Sequence, residues 1–496
     1  MHSQFRLPVN FDKLPDHDPG MNIWVVGGAL RDHFLGRSYE DIDFTVDGDA
    51  IALARQVADD LKWHFYTLDA ERGSARILPR AGDSAIRRMD FSRLRGGGIE
   101  EDLKNRDFTI NALAIEVHEP SKLIDPTGGL SDLRSKQLRA CSKDSLREDP
   151  VRVIRAVRFA TALEFKIHPD TTAQLRSTVG GLENVSVERI RDEFFQILAG
   201  EHIGVAVRLM NHLQILAAVF ERIGDYGDKV DKLEWQQDSA PIATADAIAF
   251  ADLAKILRPE HDAEAAADAI WGSVSLRLGR FREKLSVHLD ERISADRTRK
   301  SLIAFATLAI PFSGLVNQTE EAGLVMEPGS GEAAAAGTVS EYAREIRLSR
   351  AECDYIADLA GASRSLETAG QGGNLTDLDF HRYFRRFGDG GIGGALVYLS
   401  SAVSQSPGPP DADLWEQRLN VSRSLLEAYF ERYDEVVDPD LLVDGSTLMD
   451  ALEMQPGPAL GELLDAIREA SVTRRVASRE EALEYARQLM REGGAG

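Results

Sequence analysis

The segment WVVGGALRDHFLGRSYEDIDF, residues 24–44, constrains this chain more than any other. The short apolar run Asn22–Val26 predicts a strand that ends on Gly27-Gly28, with a helix following through about Leu35. Lacking Cβ atoms, the two glycines let backbone N–H groups approach a ligand closely. The helix aims its free N-terminal donors and positive dipole end at the same place, which suits a triphosphate. Arg31, in the first turn, adds a charge-assisted contact to phosphate oxygens. Ile42–Val46 predicts the next strand, and Asp41 and Asp43, two apart, fall on one of its faces. Two carboxylates with an open side are what Mg²⁺ needs when it also takes waters and phosphate oxygens.

Two familiar alternatives fail. GGALRD lacks the third glycine of a dinucleotide-binding G-x-G-x-x-G turn. No Gly-Lys-Ser/Thr is present for a P-loop. A surface turn with two solvated aspartates would explain a D-x-D alone, but not its spacing behind Gly27-Gly28 and Arg31.

Further strands are expected at Ser74–Leu78 and Ala85–Phe91, and an amphipathic helix over 50–62, so residues 22–142 form an α/β unit. From Glu148 onward, apolar residues recur every three or four positions, and the rest of the chain is expected to be helical. Breaks fall at 328–338, Gly370–Gly373 and 406–413, and a last helix at 475–492. At 496 residues the chain exceeds what one core serves. The N-terminus has no signal-peptide pattern, and no apolar run is long enough to span a bilayer. Two cysteines, Cys141 and Cys353, fit a reducing cytoplasm.

A net charge of −23 weighs against a nucleic-acid partner but is unevenly spread. Residues 1–200 hold 28 basic and 32 acidic side chains, and the remainder 30 and 49. Between 134 and 158 the sign reverses, with Arg134, Lys136, Arg139, Lys143, Arg147, Arg152, Arg155 and Arg158 against Asp144, Glu148 and Asp149. Such a strip can bind phosphates within an acidic protein, because cellular salt screens fields beyond about 8–10 Å.

GGALRD followed by DIDF resembles the head domain of class II tRNA nucleotidyltransferases and bacterial poly(A) polymerases, members of the polymerase-β-like nucleotidyltransferase superfamily. EEDLKNRDFTINALA (100–114), DPTGGLSDLRSKQLRA (125–140), REDPVRVIRAVRFA (147–160) and ERIRDEF (188–194) resemble the family's remaining motifs, in order. HRYFRRFG (381–388) and GPALGELLDAIREA (457–470) resemble tail segments of long bacterial members. The resemblance implies an α+β nucleotidyltransferase head, a small mixed sheet with helices, at 1–141. An all-α remainder follows: a neck with the base-recognition motif at 142–225, a degenerate phosphohydrolase-like body without a metal motif at 226–365, and a tRNA-binding tail at 366–496. It implies that Asp41 and Asp43 bind catalytic Mg²⁺, that Gly28 and Arg31 hold the nucleotide, and that Arg106 and Asp107 hold triphosphate and ribose. Asp90 is a candidate third carboxylate. Asn105 stands where the family has an arginine, which removes one contact. Asp125 and Asp132 are expected to brace the junction after the head, and Glu188 and Arg191 the neck.

Glu148-Asp149-Pro150-Val151-Arg152 matches the family's E-D-x-x-R. A carboxylate only accepts hydrogen bonds and a guanidinium only donates. Cytosine and adenine both present an amino donor beside a ring-nitrogen acceptor, so an Asp149/Arg152 pair suits CTP and ATP. Guanine and uracil would meet like with like. Arg155 and Arg158 are expected to face phosphates or the edge of that site. The implied activity is template-independent addition of CMP and AMP to tRNA 3′ ends. Only residues 92–99 fill the place of the family's flexible loop, a feature of CC-only relatives. Poly(A) synthesis ranks lower, because those relatives usually carry a basic tail, and a silent RNA-binding scaffold ranks last. The pair His261-Asp262 reads as a helix-start feature rather than a metal site.

Overall fold

Strand alternation over residues 41–47 organises the N-terminal part of the protein, by placing aspartates on one face and apolar side chains on the other. In the computed structural model the described residues are 21–80, 85–223, 240–260, 269–294, 296–320, 339–369, 375–404 and 409–493, with Phe5, Leu7 and Phe11. Strands β1 (Asn22–Val26), β2 (Asp41–Asp47), β3 (His64–Asp69), β4 (Ser74–Leu78), β5 (Arg88–Arg93), β6 (Ala114–Glu116) and β7 (Leu123–Ile124) make one sheet in the order β3-β4-β5-β2-β1-β6-β7. The β2–β5 pair is parallel and the other neighbours are antiparallel. The expected small mixed sheet is present, with β3 as an addition that its exposed, irregular HFYTLD pattern hid.

Ile42, Phe44 and Val46 turn to the core, where Phe44 stacks on its register partner Phe91 at 4.7 Å. Over this face lies α2 (Ala50–Leu61), which buries Leu53, Ala54, Val57 and Ala58. Asp49 caps it by accepting from the Ile51 and Ala52 N–H groups, and Lys62 ends it in the left-handed region. Opposite, Gly27 at φ 79° turns β1 into the short helix α1 (Gly28–Phe34). After α3 (Ile99–Lys104), a tight turn at Thr109–Asn111 leads into β6. Asp125 caps α4 (Gly129–Arg134), and buried Asp132 on that helix fastens Thr109 Oγ1 at 2.7 Å and Arg139 at 3.1 Å. Then come α5 (Ser145–Glu148) and α6 (Arg152–Leu163).

Residues Met1–Val185 with Leu213–Ala218 form one compact unit, and Ser186–His212 with Val219–Gly496 form another. The division at Val185 differs from the expected boundaries at 141 and 225, because the segment carrying α6 packs with the sheet unit. The second unit is helical in its described residues. Its helix Gly390–Ser404 is buried nearly throughout, and glycines there permit close crossing: a Cβ on Gly394 would lie 2.5 Å from the Ala362 Cβ. The two tail segments pack on each other through Arg382–Glu469 and Arg385–Asp465. Arg191 pairs with Asp192 and the Arg347 carbonyl rather than with Glu188. His261-Asp262, all of 328–338, Gly370–Gly373 and part of 406–413 lie outside the described residues. No single helix among the described residues is long and apolar enough to cross a membrane.

Gly129 tests how tightly the head is closed. A Cβ there would stand 2.1 Å from the Thr109 carbonyl oxygen, so backbone must move. Gly129→Ala is expected to cost about 1–3 kcal/mol. A denaturant-unfolding curve that matches wild type would contradict this packing.

Candidate active site

The polar face of β2 carries Asp41, Asp43 and Thr45, and the parallel register sets them beside Arg88, Asp90 and Ser92 of β5. Asp41 accepts from Arg88 at 2.5 Å. Asp90 is held by both donors of the Arg76 fork, at 2.8 and 2.9 Å, with Arg88 Nε at 3.5 Å. Asp43 lies beneath the glycine turn, since a Cβ on Gly27 would meet its Oδ2 at 3.3 Å. Burial pushes the Asp43 carboxyl up, opposed by Arg106, while Asp90 and Asp41 add to the rise. A divalent cation would relieve that desolvated charge. Among the described residues no three His, Cys, Asp or Glu side chains form a ready-made cage. Two carboxylates, with the remaining positions left to water and phosphate, fit Mg²⁺ better than a cation that needs an all-protein cage.

Arg106 Nη1 also lies 3.3 Å from the position of a Gly27 Cβ, and the guanidinium is steadied by Asp102 at 3.1 Å and Thr45 Oγ1 at 3.3 Å. It therefore stands at the glycine turn beside Asp43. Gly28 opens α1 with Arg31 Nη2 3.6 Å from where its Cβ would be. The Gly27 N–H donates to the Leu113 carbonyl, so this turn offers its donors from Gly28 onward.

Arg31 donates through Nε and Nη2 to Asp32 and through Nη1 to Asn111 Oδ1 at 2.9 Å. Asn111 Nδ2 donates in turn to Asp107 Oδ1 at 3.1 Å. The other Asp107 oxygen takes the Arg155 fork at 3.1 and 2.8 Å. Arg155 is thus paired with Asp107, a connection that the sequence expectations for the two residues did not include. Arg158 lies over the Phe159 ring at 4.4 Å.

Asp149 is extended between α5 and α6, Pro150 precedes the helix, and Asp149 lies 3.9 Å from Arg152 Nε. Arg152 is oriented mainly by oxygens of the preceding loops: Ser145 O at 2.9 Å, Ser145 Oγ at 3.1 Å and Asn105 O at 3.2 Å. Sequence reasoning missed Arg76, Arg88, Asn111 and Phe159. For Asn111 a signal existed, a polar side chain inside the apolar run TINALA.

Comparison with known proteins places this site in a class. A family model described as "Poly A polymerase head domain" matches residues 23–139, and one described as "Probable RNA and SrmB- binding site of polymerase A" matches 164–225. A model of the second domain of tRNA nucleotidyltransferases matches 420–486. A CC-adding tRNA nucleotidyltransferase of Geobacter sulfurreducens is 42% identical over 214 residues, 43% of this chain and 49% of that protein. The match thus spans about half of that relative's length. One from Synechocystis is 27% identical over 472 residues, 94% of this chain and 93% of that protein. The Thermotoga maritima CCA-adding enzyme, solved with tRNA, shares the fold at a TM-score of 0.60 and 19% identity, covering 95% of this chain and 92% of that one. The fold and the matches are those of nucleotidyltransferases. The matches support the tRNA nucleotidyltransferase family. Members of that family generally use a divalent metal ion.

The Asp107–Arg155 pair makes the site pH-dependent in a definite direction. Burial would raise the Asp107 carboxyl, but the Arg155 charge and fork, with Asn111 and the Phe108 N–H, hold it below its ordinary value. A depressed carboxyl contributes stability that is present above the unfolded value of about 3.9 and lost as pH falls through the folded value. Asp107→Asn is expected to cost about 1–3 kcal/mol at neutral pH, with the gap to wild type closing below about pH 4. A gap constant across that range in pH-dependent unfolding would contradict the pairing.

Proposed function

We propose that this protein is a template-independent tRNA nucleotidyltransferase that adds CMP and AMP to tRNA 3′ ends from CTP and ATP and releases pyrophosphate. The single observation that carries the reading is the polar face of β2 beneath the glycine turn, where Asp43 and Arg106 both stand 3.3 Å from the position of a Gly27 Cβ. Carboxylates for metal and a cation for triphosphate meet there. In this reading Asp41 and Asp43 hold Mg²⁺, which when bound lowers the charge cost of hydroxyl attack and of pyrophosphate departure. Gly28 and Arg31 orient the triphosphate, and Arg106 neutralises its developing negative charge. Asp149 accepts from the exocyclic amino group of cytosine or adenine, and Arg152 donates to the ring nitrogen. Fixed donors and acceptors of this kind reject a mismatched base by leaving buried groups unpaired. Asp90, already held by two arginines, serves best as their counter-ion. Segments 1–141, 142–225, 226–365 and 366–496 act as head, neck, body and tail, the last three carrying most of the tRNA contact in the cytoplasm.

A second reading, CC-only addition, is favoured by the short connection at 92–99. There Glu101 fastens the Gly97 N–H at 2.7 Å and closes the turn on itself. Incubating the protein with tRNA transcripts ending at the discriminator, at C and at CC, with each labelled nucleotide in turn, separates the two. CMP on the first two and AMP on the third supports full CCA addition. CMP alone supports the CC-only form, and no tRNA product overturns both.

Three expectations follow from these roles. Asp41→Ala and Asp43→Ala should abolish incorporation while tRNA affinity, measured by filter binding, stays near wild type; incorporation within about tenfold of wild type would remove the two-carboxylate assignment. Asp149→Ala should relax selection of CTP over UTP by about 1–3 kcal/mol, read from relative incorporation of all four nucleotides. Unchanged ratios would leave Asp149 with only a structural role. Affinity for tRNA should fall steeply with salt. Within the basic strip, exposed Arg134, Lys136, Lys143 and Arg147 are the residues open to phosphate, and a flat salt response would remove the strip from the footprint.

A further inference from the structure

The guanidinium groups of Arg31, Arg155 and Arg158 lie 5.2, 5.3 and 4.4 Å from the centroid of one ring, Phe159. Phe159 is itself buried and meets Phe108 edge-on at 5.8 Å. Three cations around one side chain repel one another unless something holds them. Two carboxylates do so, Asp32 on Arg31 and Asp107 on Arg155. The ring adds attraction through its π-face. Between the two ion pairs stands a single neutral group. The Asn111 carboxamide accepts from Arg31 at 2.9 Å and donates to Asp107 at 3.1 Å.

We infer that Asn111 and Phe159 are positioning residues that couple the triphosphate-side arginine, Arg31, to the base-reading helix α6. The inference rests on the nucleotide-binding roles proposed above for Arg31 and Arg152. Arg31 belongs to α1, Asp107 and Asn111 to the turn before β6, and Arg155 and Phe159 to α6, which begins at Arg152. Sequence separations of 80 between Arg31 and Asn111 and 48 between Asp107 and Arg155 make this a tertiary connection. The Asn111 carboxamide serves both neighbours because it accepts at one atom and donates at the other. A carboxylate would face Asp107 as a like charge, and an amine or guanidinium could not accept from Arg31. The chain of contacts therefore fixes the angle between the group that holds phosphate and the helix that reads the base. A correct base, by ordering α6, would also settle Arg31 on the phosphates.

The test uses the full chain with tRNA lacking its 3′ CCA. Wild type is assayed first, and failure to incorporate CMP there counts against the function rather than the coupling. With wild type active, Asn111→Ala is expected to raise the KM for CTP roughly 10–100-fold, the usual effect of losing hydrogen bonds to charged groups. Selection of CTP over UTP should fall with it, although neither base touches Asn111. Phe159→Leu keeps an apolar side chain but removes the π-face, and is expected to shift both quantities in the same direction. Phe159→Tyr keeps the ring and should restore both. The double variant should lose less than the product of the single effects, because the two side chains act in one network. A purely structural role predicts a lowered Tm with KM and the CTP-to-UTP ratio unchanged in folded protein, and that outcome overturns the inference. Equal behaviour of the leucine and tyrosine variants overturns the part assigned to the ring, even if Asn111→Ala does not fold.

Discussion

A row of like charges on a folded sheet must be answered by charges of the other sign, and that requirement shapes the N-terminal unit. Parallel pairing of β2 with β5 puts Asp43 directly beside Asp90, with Asp41 one alternation away. Carboxylates so placed repel, and desolvation raises Asp43 further. Arg76, Arg88 and Arg106 supply the compensation, and each is itself steered by a carboxylate. The alternation of sign continues through Asp102 to Arg106. The site is thus held by reciprocal pairing, which leaves the charge on Asp43 the least compensated by direct contact and the most suited to an arriving cation.

The helical unit resolves its charge differently. Its acidity suggests repulsion from RNA, yet many of its arginines are committed internally, as in Arg258–Asp290, Arg299–Asp389, Arg382–Glu469 and Arg432–Asp377. The Arg-rich helix Asp377–Phe387 shows what that means for reading motifs. Its aromatic side chains are buried, and Arg382 and Arg385 reach across to helix Pro458–Val472. A basic run that reads as an RNA-facing surface is here the glue between two tail helices.

The parts legible in the sequence were those whose cause is local. Gly27 must be glycine because its φ is 79°, and the alternation of Asp41 and Asp43 follows from strand geometry. Short strands such as β6 and β7 carry too few residues to show a period. The pairing of Asp107 with Arg155 depends on folding α6 back over the turn before β6, and no periodicity encodes that. Three-residue spacing alone would set Asp149 and Arg152 on one helical turn. The helix starts at Arg152, so Asp149 is outside it and the two meet only at 3.9 Å. Four of the sequence-predicted nucleotide groups, Gly28, Arg31, Arg106 and Asp107, lie in one unit with the carboxylates, but their connections run through Asn111, Thr45 and Asp102.

The way Arg152 is held bears on how a protein can stand in for a template. A guanidinium has five donors in a rigid plane, and its selectivity depends on that plane being fixed before the base arrives. Ser145 and the backbone carbonyl of Asn105 anchor two of its nitrogens, and the Arg106 carbonyl lies at 3.5 Å. Two of these acceptors are the consecutive backbone carbonyls of Asn105 and Arg106, so they do not depend on which side chain stands at 105. The asparagine found there, where the family resemblance expects an arginine, stands at an exposed helix end and leaves the backbone anchors of Arg152 intact. An orientation set by backbone also moves only when the loop moves, and this loop continues directly into Arg106 and Asp107. Arg106, proposed to neutralise the triphosphate, and the carbonyls that orient Arg152 thus share one stretch of chain, so the two proposed roles cannot shift independently.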